Sequence, residues 1–205
     1  MLRKVGYTQQ LNGVYSPYAD VFFINPSTDL YIRAPGLMDS GADHTLIPLS
    51  VGREIGLKWE STDELKEVRG ITGAMTFLEK DCTIALHNSD STKLFLFDTR
   101  VWWAYPHKND VDALNSLYRK SADISKALAT SRKDEIKKVL TEAQNNLETE
   151  IQKLSSAYET LTCIGRNFFS NFSFIQFSDK DSPSRSKFIY RVREDKVSRI
   201  IDLEG

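Results

Sequence analysis

The run Leu37-Met38-Asp39-Ser40-Gly41-Ala42-Asp43-His44-Thr45-Leu46-Ile47-Pro48 sets a carboxylate on a tight turn between two apolar strands. Aspartate, serine and glycine are turn formers, and the aliphatic residues on either side read as buried β-structure. Asp39 is thereby expected at a turn tip with buried flanks, an unfavourable place for a charge that has no task. Ser40, Asp43 and His44 do not read as a nucleophile triad, because neighbours on a strand point to opposite faces.

Outward from this run the chain reads as mostly strand. Residues 1–12 are polar and suit an arm or an edge strand. Residues 14–25 are β-rich around Pro17, residues 25–29 form a turn, and strand character resumes over 30–38 with a break at Pro35-Gly36. After the Asp39 turn comes a short helix over 49–57, capped by Ser50 and stopped at Gly56. Residues 65–86 suit a β-hairpin with its apex at Gly70-Ile71-Thr72-Gly73, where glycine tolerates the φ angles of a tight turn. A further strand covers 93–104.

Composition then changes. Between about residues 106 and 160 proline and glycine disappear and helix formers dominate. Asn109 with Asp110 and Asp112 starts one helix, and Ser131 with Asp134 three residues later caps a second. The apolar seam Ile136, Val139, Leu140, Ala143, Leu147, Ile151, Leu154, Tyr158 and Leu161 is close to a heptad, which predicts an antiparallel helical hairpin. One neighbouring helix leaves such a seam part-covered, so packing on the β domain or a protein partner is expected. Strand character returns over 161–178 and 188–192, followed by a charged tail. The expected organisation is a discontinuous, mainly-β domain (1–104 and 161–205) interrupted by a helical hairpin (105–160).

Composition narrows the function. Charged residues make up 27% of the chain but the net charge is only −1, and the helical segment from His107 to Thr160 balances nine Lys/Arg against nine Asp/Glu. Nothing there forms the basic stripe of a nucleic-acid binder. The longest apolar runs fall far short of the roughly 20 residues of a membrane span, and residues 1–6 lack the apolar centre of a secretory signal. His44, His87 and His107 are scattered, as are Cys82 and Cys163, so neither a metal site nor a disulfide framework is indicated. A soluble cytoplasmic protein is the expectation.

The Asp39 run resembles the active-site segment of the retroviral-type aspartic proteases, the retropepsins, whose pattern is apolar-apolar-Asp-Ser/Thr-Gly-Ala-Asp-x-Thr-apolar-apolar. Ile164-Gly165-Arg166-Asn167 resembles the same family's apolar-Gly-Arg-Asp/Asn motif, and Gly70-Ile71-Thr72-Gly73 lies where that family carries its substrate-covering flap. The resemblance implies a retropepsin-like acid-protease barrel in which Asp39 is catalytic. Ser40, Gly41, Ala42, Asp43, Thr45, Arg166 and Asn167 would support it, with Arg166 paired to Asp43. Asp39-Ser40-Gly41 is the one such turn in the sequence, so the second carboxylate must come from another copy: a homodimer cleaving peptide or protein substrates, with no metal or organic cofactor. Two carboxylates about 3 Å apart share a proton and titrate as a coupled pair. The family joins its last two elements by a short connection, whereas about 55 residues intervene here. An insert that folds by itself costs little closure entropy. An alternative is a dimer of this fold that binds peptides without turnover, or assembles through its helices. Cys163 reads as a buried core thiol, or as part of the substrate pocket by its place before Gly165-Arg166.

Overall fold

A computed structural model describes residues 2–9, 15–70, 73–87, 92–178 and 187–203. The chain separates into two compact units: residues 1–64, 78–104 and 160–205 in one, residues 65–77 and 105–159 in the other. The protein is mainly sheet.

The first unit is organised by β4 (Tyr18–Ile24), β5 (Tyr31–Met38), β6 (Leu46–Ile47), β8 (Gly73–His87, whose residues 78–87 lie in this unit), β9 (Lys93–Ala104) and β10 (Cys163–Ile164). Pairing runs β9-β6-β10-β5-β4-β8, and β8 also pairs with β9, so the order of these six strands closes on itself as a barrel. Alternation builds the core. On β4, Ala19, Val21 and Phe23 are buried and Asp20 faces out, and Ile47, Leu78, Ile84, Leu96, Phe97 and Trp103 are buried too, with the adjacent Leu96 and Phe97 on opposite faces of β9.

Strand β5 runs unbroken through Pro35-Gly36, where the sequence suggests an interruption. Pro35 lies opposite Asp20 of β4, and the strand on the other side, β10, pairs only with Leu37 and Met38. Among the described pairings, the proline's missing N–H falls where β10 has not yet begun. The short helix α1 (Leu49–Glu54) begins earlier than its expected cap: Pro48 is the N-cap, Ser50 lies inside the helix, and no side chain caps it. Ile55 is its C-cap, and Gly56 follows with a φ of 74°, open to glycine at little cost.

Strand β10 leads into α4 (Arg166–Phe169), which is anchored by Phe168, fully buried and edge-on to Phe97 and Phe172 at 5.5 and 5.6 Å. A separate three-stranded antiparallel sheet joins β1 (Leu2–Gly6), β12 (Lys187–Val192) and β11 (Phe172–Ser178), while β2 (Thr8–Gln9) pairs with β3 (Tyr15–Ser16). Of the N-terminal arm, Leu2–Gly6 is therefore an edge strand of this sheet. The charged tail holds a strand the sequence does not announce: β13 (Arg199–Asp202) pairs antiparallel with Leu96 to Lys93 of β9. Its four residues are all exposed, so no buried alternation marks it.

In the second unit, β7 (Lys66–Gly70) pairs with Gly73–Phe77 of β8, and Gly70 stands opposite Gly73. Ile71 and Thr72, the centre of the expected hairpin apex, lie outside the described residues. Helices α2 (Lys108–Thr130) and α3 (Asp134–Ser155) pack on each other. Their caps differ from expectation: α2 starts after His107, Ser131 closes α2 instead of opening α3, and Lys133 is the N-cap of α3. Asp134 and Glu135 sit in the first turn of α3, where carboxylates favour the helix dipole. Leu114 of α2 is fully buried, whereas α3 buries none of its residues and leaves Ile136 and Val139 exposed. The Tyr158 hydroxyl donates to Asp110 Oδ2 at 2.6 Å, tying the end of the insert to its beginning. Among the described residues, no helix is long and apolar enough to cross a membrane.

Candidate active site

Asp39 sits where β5 leaves the barrel, and its position follows from the strand order. β10 lies between β5 and β6, parallel to the first and antiparallel to the second, so the chain segments entering and leaving the Asp39 loop straddle it. Leu37 N–H donates to Thr162 O at 2.9 Å and Asp39 N–H to Ile164 O at 3.1 Å. The loop thus starts from a strand held on both sides, since Met38 N–H also donates to Pro17 O at 2.9 Å.

The loop then doubles back at Ser40-Gly41. Gly41 N–H donates to Asp39 Oδ1 at 2.7 Å, fixing one carboxylate oxygen of a half-buried side chain. The other oxygen, Oδ2, lies 3.8 Å from the Cys163 thiol, which donates to it. Burial first, and then the neighbouring Asp39 charge, push the Cys163 thiol up to about 12. It therefore stays protonated across the physiological range and acts as a donor.

Helix α4 supports the far side of the loop. The first backbone N–H groups of a helix lack partners within it. Here Arg166 N–H donates to Ala42 O at 2.8 Å and Asn167 N–H to Asp43 O at 3.0 Å. The Arg166 guanidinium also pairs with the Asp43 carboxylate, which holds that acid below the usual carboxylate range. Both side chains are well exposed, at 60% and 67%, so this pair orients more than it stabilises.

Thr45 and Asn167 form the buried part of the clamp. Thr45, fully buried, accepts from Gly165 N–H at 3.2 Å and donates its hydroxyl to Asn167 Oδ1 at 3.0 Å. Asn167 Oδ1 accepts again from Thr45 N–H at 2.8 Å, while Nδ2 donates to Arg100 O of β9 at 3.0 Å. An ionised aspartate here would lack that last donor. Gly165 has no room for a side chain: a Cβ would lie 2.3 Å from the His44 carbonyl oxygen. His44 stacks on Trp102 at 3.8 Å, 12° from parallel, while the next residue, Trp103, is fully buried and donates to Leu49 O.

The structure therefore brings Asp39, Gly41, Ala42, Asp43, Thr45, Arg166 and Asn167 together around one loop, with Ser40 exposed at its turn. The hairpin carrying Gly70 and Gly73 belongs to the second unit. Two contacts escape a linear reading. The thiol at Oδ2 depends on the register that sets Cys163 beside Leu37, and the His44–Trp102 stack on the pairing of Leu46 with Trp102. A scan against protein-family models returns no match for the chain, and a search of curated proteins likewise returns none.

Proposed function

We propose that this chain is one half of a retropepsin-type aspartic endopeptidase, with Asp39 of each of two copies forming the active site. The observation carrying the reading is the Asp39 loop itself. Its carboxylate is fixed by the Gly41 N–H, its backbone is continuous with a doubly paired strand, and its far side is held by Arg166 and Asn167. Every position that the resemblance assigns to support of the aspartate, apart from Ser40, makes a contact within this loop or with α4.

The chemistry needs two carboxylates. One, ionised, takes a proton from a water held between the pair; the other, protonated, donates to the carbonyl oxygen or to the leaving nitrogen. The described chain offers one such turn, so the site is incomplete until a second copy brings its own Asp39 to a two-fold axis. Water activated by a carboxylate pair requires neither metal nor organic cofactor. The hairpin bearing Gly70 and Gly73 is the candidate flap, and the α2–α3 hairpin is a candidate surface for a protein partner.

The test is digestion of a library of unstructured peptides between about pH 4 and 7 by the wild type and by Asp39→Asn. Cleavage by the first and none by the second is the expected result. Equal cleavage by both, or peptide binding without cleavage by the wild type, overturns the proposal.

A further inference from the structure

We propose that Cys163 is a positioning residue that holds Oδ2 of Asp39 through its S–H group, leaving the carboxylate in one rotamer. This inference rests on the proteolytic reading of Asp39 and adds a residue to it.

The geometry begins with the asymmetry of the carboxylate. Oδ1 is engaged by a backbone donor of the same loop, Gly41 N–H at 2.7 Å, which fixes its distance but still allows the side chain to swing about that contact. The second anchor comes from another strand: Cys163 of β10, 124 residues away in sequence, places Sγ 3.8 Å from Oδ2. Two donors on two oxygens from two elements define the carboxylate plane, as one cannot. Cys163 itself is rigidly placed, being buried and paired through its backbone with Leu37 on one side and Leu46 on the other.

Sulfur suits the position. The C–S bond is longer than C–O, so a serine at 163 would end farther from Oδ2 although hydroxyl bonds must be shorter than thiol bonds. A valine or alanine would fill part of the space and donate nothing. The remaining charged or titratable groups of the loop and α4 are accounted for elsewhere: Asp43 and Arg166 pair with each other, and His44 stacks on Trp102. No disulfide competes for the thiol, since Cys163 and Cys82 are both free.

The experiment has two arms. Steady-state kinetics compare wild type, Cys163→Ala and Cys163→Ser on the best library peptide. A positioning role predicts that kcat falls about tenfold in both variants with KM changed less than about twofold, whereas a pocket wall predicts the reverse split. The second arm does not need proteolysis. The Cys163 13Cβ resonance is followed from pH 7 to 10.5 in wild type and Asp39→Asn: the wild-type thiol should stay protonated throughout, whereas removing the carboxylate charge should bring the onset of thiolate formation down into this window. Unchanged kcat in both Cys163 variants, or an onset unmoved by Asp39→Asn, overturns the inference. Cleavage that survives Asp39→Asn instead overturns the proteolytic reading, and a shifted thiol onset would still stand beside it.

Discussion

In the Asp39 loop, apart from the local Gly41 N–H on Asp39 Oδ1, the side-chain polar partners come from across the sequence. Thr45 meets Asn167, Gly165 meets Thr45 and Asp39 meets Cys163, each pair 120 or more residues apart. In the α2–α3 hairpin the side-chain bonds are mostly local. Thr130, Thr141 and Thr149 each donate to the carbonyl four residues back, and Gln144 Nε2 to Ser121 Oγ, at 2.8 Å, is a bond between the helices. The loop is therefore specified by a few contacts that have no substitute, the hairpin by many weak ones that can be exchanged. Long-range closure of this kind costs chain entropy and sets one geometry. A locally determined helix pair forms readily and tolerates variation at its surface.

Substitutions should divide along the same line. Gly165→Ala drives a methyl group into the His44 backbone and is expected to cost about 3 kcal/mol or more, read as a lower urea midpoint with an unchanged slope. Thr45→Val keeps the shape but leaves the buried Gly165 N–H without its acceptor, for a loss of about 2 kcal/mol. Arg166→Gln acts through an exposed pair and should have a smaller effect, dependent on pH. Asp43 is held below its ordinary range by the hydrogen bond to Arg166 and then by its charge. A carboxylate lowered on folding contributes stability above its unfolded value, and this fades as pH falls through the lowered folded value. Urea midpoints of wild type and Arg166→Gln should accordingly differ near pH 6 and converge below the usual carboxylate range, about pH 4. Smallest of all is Val139→Lys on α3, at a site 66% exposed, with a change within about 0.5 kcal/mol. A large loss at Val139 joined to a negligible one at Thr45 would break the contrast.

The same division governs what could be read from the sequence. The helical hairpin is visible because a 3.6-residue period is written locally, though its caps are not: His107 and Lys133 take positions that Asn109 and Ser131 suit better by propensity. Strand β9 and the β7–β8 hairpin are visible as β-rich runs with glycines at the turn. Strand β13 is not, since a four-residue exposed edge has no buried face to impose alternation. At the site, Asp39 and its turn are local, and the pairing of Arg166 with Asp43 is suggested by the resemblance. Asn167 joining Thr45 to Arg100, and Cys163 reaching Oδ2, depend on strand register, which no local pattern in β10's two residues determines.

The proposed active site is made of two copies of one loop, which subunit mixing can test. Wild type and Asp39→Asn are combined at constant total concentration, allowed to exchange subunits, and assayed for peptide cleavage. If catalysis needs Asp39 from both copies, activity follows the square of the wild-type fraction and falls to about one quarter in an equal mixture. A linear decline, to about one half, would mean that each chain works with its own carboxylate alone and that no shared site exists.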